Sequence, residues 1–387
     1  MYITILGRQP AIGVAELESL YAADNVRWFS DTSATIDGSD LDFERTGGSQ
    51  KAGRVVIELR GDWRQASQRI VTTYTKTWGN ADHKITLGIS AYGFATSARE
   101  VQKTGLILKK KLRESGVSLR LVPNQEPALN TAASHHNKLG LSKSKVELLV
   151  VRGSDGRIVI AESIGAQNIT ALAARDQERP RTDAFVGMLP PKLARIMINL
   201  SGRNTTGTLL DPFCGTGTVL QESALLGYDV YGTDLSEKMV DYSRTNLDWI
   251  IDKYHLATKT RIEHGDATTY SWQQPIGKVV CETYLGQPFS APPSPKKLTE
   301  VRGNCNYIIS SFLENIRPQL ATGTILVIAV PAWRDTDGNL THLPLVQSTE
   351  SLGYARVELR HVRHEQLIYY RENQVVAREL LLLKKLD

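Results

Sequence analysis

A short segment in the middle of the chain has the residue types of a cofactor-binding turn. It reads Asp211-Pro-Phe-Cys-Gly-Thr-Gly-Thr218 and follows a brief apolar run. Its two glycines let the backbone turn tightly and approach a ligand without a Cβ in the way. A second acid, Asp234, follows at about the 20-residue spacing at which a carboxylate binds a cofactor ribose. The pattern predicts a strand, a glycine turn and a helix that begins at Thr218.

This turn lacks a feature of dinucleotide-binding domains. Such domains place a third glycine in the following helix, whereas here Val219 and Leu220 occupy that stretch. A single glycine-rich turn can also be an ordinary connection between a strand and a helix, so the residues that follow it decide between these interpretations.

Further acids follow apolar segments in order along the chain. Asp266 follows residues 261–264, and Glu282 follows residues 278–281. More apolar strands are predicted at 323–330 and 374–383, with helices at 218–227 and 236–253. Alternating strands and helices predict an α/β fold, in which helices cover both faces of a parallel sheet and ligands bind at the carboxyl ends of its strands.

The segment resembles motif I of class I S-adenosylmethionine-dependent methyltransferases, in a form common among enzymes that methylate exocyclic amines of bases. The resemblance implies S-adenosylmethionine as the cofactor. Asp234 would bind the ribose, Asp266 the adenine and the glycine turn the amino-acid moiety. The full set of predicted cofactor-binding residues is Asp211, Phe213, Gly215, Gly217, Thr218, Asp234, Leu235, Asp266 and Ala267.

Composition indicates a globular enzyme with more than one domain. The chain has 387 residues, of which 41% are hydrophobic and 22% charged. It contains no apolar run of membrane-spanning length and no signal-like amino terminus, so we expect a cytoplasmic protein without membrane association. Its three cysteines lack metal-ligand spacing, and neither a bound metal nor a disulfide framework is expected.

Basic residues are concentrated in one helical segment. The formal net charge is +5, and residues 99–120 contain seven basic and two acidic residues. Apolar residues at helical spacing in this segment predict a helix with one buried face and one basic face. A basic face can be merely solvated, but beside a base-methyltransferase signature we interpret it as a contact for RNA phosphates. The predicted RNA-binding residues are Lys103, Lys109, Lys110, Lys111, Arg113, Arg175, Arg179 and Arg181.

Several further blocks resemble the THUMP-domain RNA methyltransferases, and among them the tRNA guanosine-10 N2-methyltransferase family. They are the opening residues 2–10, the connector 174–181, the segment 187–194 and motif I, in the family's order. The resemblance implies an N-terminal α+β region, ferredoxin-like plus THUMP, that binds RNA, and a C-terminal Rossmann-like methyltransferase domain. The corresponding boundaries are 1–80 for the ferredoxin-like region, 81–165 for the THUMP-like domain, 166–186 for a linker and 187–387 for the methyltransferase domain.

The chain departs from this family at the acceptor site. Members carry an Asp-Pro-Pro-Tyr block after the fourth strand, whereas this chain has Glu282-Thr-Tyr-Leu285. The resemblance implies that Glu282 accepts a hydrogen bond from the target amine and that Tyr284 stacks on the flipped base. These two are the predicted catalytic residues. As an alternative, Glu282 only orders its loop and Tyr284 only packs.

The resemblance thus implies methyl transfer to the N2 amine of a guanosine in tRNA, with guanosine 10 the expected target. One alternative is methylation of an adenine amine in RNA or DNA. Another is a catalytically silent RNA-binding protein that keeps the fold. The resemblance raises a small activating protein as a further partner, because eukaryotic relatives work with one; otherwise a monomer is expected.

Overall fold

The computed structural model describes residues 1–183, 188–204, 206–273, 275–372 and 374–387. The chain divides into two compact units. The N-terminal unit comprises Met1–Val14 and Tyr21–Ala171, and the C-terminal unit comprises Ala15–Leu20 and Leu172–Asp387. The end of the predicted linker, 184–186, and the predicted first residue of the methyltransferase domain, Gly187, lie outside the described residues.

The N-terminal unit contains one eight-stranded sheet. Across the sheet the strand order is β2-β3-β1-β4-β8-β7-β5-β6, in which β5 runs parallel to β6 and β7 and all other neighbours are antiparallel. In chain order the strands are β1 (Tyr2–Leu6), β2 (Val26–Ser30), β3 (Ser33–Ile36), β4 (Ser49–Arg60), β5 (Ile85–Tyr92), β6 (Leu119–Leu121), β7 (Lys145–Arg152) and β8 (Arg157–Ala166).

Two long helices of this unit pack on the sheet. They are α2 (Trp63–Trp78) and α3 (Ala98–Glu114). Each begins with a capping box, formed by Asp62 with Gln65 in α2 and by Ser97 with Glu100 in α3, which satisfies backbone N–H groups at the helix start. Their apolar faces join strand residues in one core. The first five helices of the chain are α1 (Pro10–Tyr21), α2 (Trp63–Trp78), α3 (Ala98–Glu114), α4 (Thr131–His136) and α5 (Ile169–Gln177).

The predicted boundary near residue 80 falls inside this sheet. Strand β4, from the predicted ferredoxin-like region, pairs antiparallel with β8, from the predicted THUMP-like domain. The strands of both segments therefore share one sheet and one compact unit. The division of the unit into two named modules stays a prediction.

The C-terminal unit contains a nine-stranded sheet. The strand order is β11-β10-β9-β12-β13-β17-β15, with β14 paired to β13 and β16 paired to β17. The first five strands of this order are parallel, and β17 runs antiparallel to β13. The strands are β9 (Thr208–Asp211), β10 (Val230–Asp234), β11 (Thr260–His264), β12 (Ile276–Glu282), β13 (Ile325–Arg334), β14 (Leu340–Thr341), β15 (Tyr354–Arg356), β16 (Ile368–Tyr369) and β17 (Val376–Lys385).

The helices of this unit alternate with the early strands, as predicted. They are α6 (Pro191–Leu200), α7 (Thr218–Leu225), α8 (Glu237–Tyr254) and α9 (Pro295–Ile316). The buried Ile309 and Phe312 of α9 share a core with Leu326 and Ile328 of β13. In the part of the chain that the structure describes, no helix has both the length and the apolar character needed to cross a membrane.

The predicted order of strands and helices around the glycine turn is confirmed. Helix α7 begins at Thr218 directly after the turn, and β9 ends at Asp211 directly before it. Because β10, β9 and β12 are parallel neighbours, their carboxyl ends meet at one edge of the sheet. Asp211, Asp234 and Glu282 are the final residues of these strands.

Candidate cofactor and acceptor site

The glycine turn holds a conformation that side chains would disturb. Gly215 and Gly217 have φ angles of 51° and 82°, in the left-handed region that favours glycine. A Cβ on Gly217 would lie 2.9 Å from the Ser243 Oγ, so α8 closes that side of the turn. A Cβ on Gly215 would meet only the Phe213 carbonyl oxygen, at 3.9 Å. The turn is therefore packed against α8 at Gly217 and open at Gly215.

Asp211 fixes the chain as it leaves β9. Its side chain is buried, and its Oδ1 accepts a hydrogen bond of 3.1 Å from the backbone N–H of Phe213. Burial raises the pKa of Asp211 well above its ordinary value, and the nearby Asp234 and Glu282 carboxylates raise it further. The Phe213 ring packs edge-on against Phe312, with the ring centroids 5.1 Å apart.

Asp234 connects the end of β10 to the glycine turn. Its Oδ2 accepts from the Gly215 N–H and its Oδ1 from the Ser236 N–H, each at 2.9 Å. Burial raises the pKa of Asp234, although these two hydrogen bonds oppose the shift. The next residue, Leu235, is 67% exposed, so this strand end can be reached by a ligand. A carboxylate oxygen can accept a second hydrogen bond, which is what binding of ribose hydroxyls requires.

Asp266 lies in an ordered turn after β11. Its Oδ1 accepts from the backbone N–H and the hydroxyl of Thr268, at 2.9 and 2.7 Å. The carbonyl of the buried Ala267 accepts from the Asn315 side chain at 3.0 Å, which anchors the turn to α9. The exposed Asp266 can therefore present a carboxylate from a fixed backbone.

Glu282 and Tyr284 differ in their exposure. The Glu282 side chain, 17% exposed, forms an ion pair with the Nε of Arg378 on β17. Burial raises the pKa of Glu282, and Arg378 opposes that shift. Tyr284 is 41% exposed. Between them the backbone N–H and the hydroxyl of Thr283 both donate to the Ala329 carbonyl, at 3.0 and 2.9 Å.

These contacts substitute in part for the missing prolines. The two hydrogen bonds from Thr283 to the Ala329 carbonyl fix the chain directly after β12, where members of the resembled family carry proline. Arg378 was not among the predicted residues. It lies 96 residues from Glu282 in sequence, and only the antiparallel pairing of β17 with β13 brings the two together.

Two of the three predicted RNA-binding arginines in the connector are placed differently from the prediction. Arg175 is 6% exposed and forms an ion pair with Glu222 of α7. Arg179 is 3% exposed and donates to the Thr218 hydroxyl. Both are interior side chains, so the prediction that they contact RNA phosphates is corrected. Arg181 is exposed, and its guanidinium lies 5.7 Å from the centre of the Tyr242 ring.

Arg175 is buried because it pairs with a carboxylate, Glu222, which the sequence did not reveal as its partner. Glu222 of α7 is 1% exposed and pairs with both Arg175 and Arg195. A buried carboxylate requires a positive partner. The connector supplies one of the two, and part of it folds as helix α5.

The basic residues of α3 lie on its exposed surface, within the N-terminal unit. Val101, Leu108 and Leu112 are buried, as predicted for one helix face. The exposed side carries Lys103, Lys109, Lys110, Lys111 and Arg113.

The described residues carry no group of three or more His, Cys, Asp or Glu side chains arranged to hold a metal ion. Cys214, Cys281 and Cys305 are buried free thiols. Burial raises the pKa of each thiol.

Comparison with known proteins agrees with this geometry. A protein-family model described as "RMKL-like, methyltransferase domain" matches residues 179–332, which include the turn and all three strand-end acids. A second model, described as "DNA methylase", matches residues 54–245.

Curated relatives match parts of the chain. A tRNA (guanine(10)-N2)-dimethyltransferase of Methanothermobacter thermautotrophicus is 29% identical over 190 residues, which are 49% of this chain and 52% of the relative. A protein of the same name from Pyrococcus abyssi is 42% identical over 80 residues, or 21% of this chain and 22% of the relative. The chain thus spans about half the length, or less, of these relatives.

Two solved structures share the fold over the whole chain. TrmN from Thermus thermophilus has a TM-score of 0.54 and 18% identity, covering 100% of this chain and 99% of its own. A possible methylase from Clostridium difficile 630 has a TM-score of 0.54 and 12% identity, covering 100% and 98%.

The residues at the sheet edge also fit the expected cofactor. The turn is open at Gly215, a carboxylate stands at the end of β10 and another in the turn after β11, and the buried Arg179 donates to Thr218. With the strand order and the matched family, these features identify the C-terminal unit as a class I methyltransferase domain that uses S-adenosylmethionine as its methyl donor.

Proposed function

We propose that this chain methylates the N2 amine of a guanosine in tRNA, with guanosine 10 as the target. The names of the matched relatives support this substrate. The observation that carries the proposal is the position of Glu282 and Tyr284. A carboxylate ends β12 and an exposed aromatic ring follows it, directly beside β9, the strand that leads into the glycine turn.

The two side chains suit a planar base with an exocyclic amine. Tyr284 offers a ring face on which a flipped base can stack, and Glu282 offers an acceptor for an amine hydrogen. S-adenosylmethionine supplies a methyl group on a positively charged sulfur. Glu282 orients the amine so that its nitrogen faces that methyl, and positioning of this kind can account for much of a rate enhancement.

Glu282 can also take part in the proton balance. As the nitrogen–carbon bond forms and the carbon–sulfur bond breaks, the amine acquires positive charge and must release a proton. The ionised Glu282 carboxylate accepts that proton as a general base. Arg378 favours the ionised form of the carboxylate, because its positive charge opposes the effect of burial on the pKa of Glu282.

We infer that the N-terminal unit binds the tRNA. Four basic residues of α3 fall on the face opposite its buried side, and we name them the α3 stripe: Arg99, Lys103, Lys110 and Arg113. All four are exposed. Basic side chains along one exposed helix face can neutralise the phosphates of a nucleic-acid backbone. The THUMP-like interpretation of this unit belongs to the same proposal.

The test is methyl transfer followed by analysis of the product nucleoside. The full chain is incubated with deuterated S-adenosylmethionine and a tRNA transcript, which is then digested and analysed by mass spectrometry. We expect labelled N2-methylguanosine or N2,N2-dimethylguanosine. A transcript with adenosine at position 10 should take no label.

A Glu282→Gln variant tests the role of the carboxylate, because it keeps the size of the side chain and removes its charge. It should bind S-adenosylhomocysteine as the wild type does and lose methyl transfer by about 100-fold or more. Labelled methyladenosine in RNA or DNA would replace the proposed acceptor with an adenine amine. Binding of tRNA without any transfer would indicate a silent RNA-binding protein.

A further inference from the structure

Three arginines contact side chains of α7, and only two of them pair with a carboxylate. Arg175 and Arg195 both pair with the carboxylate of Glu222. Arg179 forms no ion pair with any residue in the described ranges. Its guanidinium donates to the Thr218 hydroxyl at 2.7 Å and to the Met188 sulfur.

Arg179 is therefore a buried positive charge with neutral partners. The residue is 3% exposed, and its Nε is buried without a hydrogen-bond acceptor in the part of the chain that the structure describes. Burial lowers the pKa of Arg179, and Asp176 opposes this shift without a hydrogen bond to the guanidinium. Buried charges are normally paired because their desolvation is costly. Since the Arg179 guanidinium has no negative partner among the described residues, we expect a negatively charged ligand to supply one.

Thr218 connects this charge to the cofactor turn. It is the first residue of α7, immediately after Gly217, and its hydroxyl accepts the Arg179 hydrogen bond. A hydroxyl that accepts from a guanidinium still has its own hydrogen to donate. The N-terminal end of a helix also carries partial positive charge and unpaired N–H groups. Hydroxyl, helix end and guanidinium thus all favour an anion at one place.

We propose that Arg179 and Thr218 bind the carboxylate of the amino-acid end of S-adenosylmethionine. Thr218 donates a hydrogen bond to the carboxylate, and Arg179 orients the Thr218 hydroxyl and supplies the opposing charge. The open side of the glycine turn at Gly215 leaves room for that end of the cofactor. The inference rests on S-adenosylmethionine as the methyl donor and assigns residues to one part of it.

Two other arginines nearby already bind a carboxylate. Arg175 and Arg195 share the carboxylate of Glu222, which is 1% exposed. Among the three, and within the described residues, only Arg179 has no carboxylate at ion-pair distance.

The experiment compares ligands that differ in the carboxylate. Binding of S-adenosylhomocysteine and of 5′-methylthioadenosine, which lacks the amino-acid end, is measured by calorimetry on the full chain. For Arg179→Gln we expect S-adenosylhomocysteine to bind about 10- to 100-fold more weakly, as for loss of a hydrogen bond to a charged group. The affinity for 5′-methylthioadenosine should stay within about twofold of the wild type.

Equal weakening of both ligands would overturn the proposal, because it would show that Arg179 only supports the fold of the turn. Unchanged affinity for S-adenosylhomocysteine would overturn it as well. If the wild type binds neither ligand, the methyl-donor assignment fails too, and this outcome is thereby distinguished from failure of the Arg179 assignment alone.

Variants of Thr218 keep the proposal testable if Arg179→Gln does not fold. Thr218→Val removes the hydroxyl and should weaken S-adenosylhomocysteine selectively, whereas Thr218→Ser keeps the hydroxyl and should restore most of the affinity. Arg179→Lys retains the charge and should lie between the wild type and Arg179→Gln. Failure of Thr218→Val to separate the two ligands would contradict the assignment.

Discussion

The Nε of Arg378 donates to the carboxylate of Glu282 and thereby links the last residue of β12 to β17. The two strands are not neighbours, because β13 lies between them. The ion pair therefore reaches across one strand at the carboxyl edge of the sheet. It places a positive charge beside the carboxylate that we propose binds the target amine.

This pair predicts the pH dependence of methyl transfer. Burial raises the pKa of Glu282 and Arg378 opposes the shift, so Arg378→Gln should raise that pKa further. The proposed role requires the ionised carboxylate, so activity in the wild type should fall as pH drops through the folded pKa of Glu282. This fall is the acidic limb of the pH profile, and in the Arg378→Gln variant it should move to higher pH. The measurement is kcat against pH at saturating cofactor and tRNA.

Arg378→Lys is the control for that experiment, because it keeps a positive charge near Glu282. Its acidic limb should stay close to that of the wild type. A loss of activity in Arg378→Gln with no displacement of the limb would mean that Arg378 acts through packing and that Glu282 does not titrate in the reaction.

Replacement of Asp234 by Asn should weaken cofactor binding. Asp234 accepts from two backbone N–H groups, and an amide cannot present two acceptor oxygens to those donors and to a ribose. Loss of a hydrogen bond to a charged group costs about 1.5–3 kcal/mol, or about 10- to 100-fold in S-adenosylhomocysteine affinity. Calorimetry measures this directly.

Asp229 provides the control, because it lies just before β10, at the opposite end of that strand from Asp234. Its Oδ1 accepts a hydrogen bond of 2.9 Å from the Lys259 N–H. Asp229→Asn should leave the affinity unchanged. Equal losses in the two variants would show that general destabilisation, and not a ribose contact, explains the effect of Asp234→Asn.

The local parts of the site could be predicted from the sequence. Strand β9, the turn and the start of α7 follow one another within the segment Thr208–Leu225, and each is specified by nearby residues: apolar side chains, glycines and a threonine. Asp234 was predictable for the same reason, since it ends the next strand along the chain.

The partners of these residues could not be predicted, because they depend on strand pairing and helix packing. Arg378 reaches Glu282 only through the antiparallel register of β13 with β17. Arg175 and Arg179 have the composition of an exposed basic connector, yet Glu222 and Thr218 of α7 draw them into the interior. A charge pattern indicates a surface only when no buried partner exists, and that partner is distant in sequence.

A substitution in the glycine turn should affect both stability and cofactor binding. Gly217 has a φ of 82° and would place a Cβ 2.9 Å from the Ser243 Oγ. The left-handed conformation alone costs a non-glycine residue about 1–2 kcal/mol, and the contact with α8 adds to it. Gly217→Ala should therefore lower the free energy of unfolding, measured in urea, and weaken S-adenosylhomocysteine binding.

Gly227 isolates the conformational part of this cost. Its φ is 83°, and among the described residues no atom beyond its chain neighbours lies within 4 Å of the position of a Cβ there. Gly227→Ala should show only the backbone cost, with cofactor affinity unchanged. If the two variants lose equal stability and both retain affinity, the packing of the turn against α8 does not shape the cofactor site.

The α3 stripe should determine the salt dependence of tRNA binding. Each phosphate contact that a basic residue makes releases about 0.7–0.9 counterion, so Lys103→Gln with Lys110→Gln should reduce the slope of log affinity against log salt by about 1.5. The exposed Lys76 of α2 belongs to the same unit but not to the stripe, and Lys76→Gln should leave the slope unchanged. Fluorescence anisotropy with labelled tRNA, at several salt concentrations, measures both. A double variant with the wild-type slope would exclude the stripe from the RNA interface, because a lost phosphate contact must change the number of ions released.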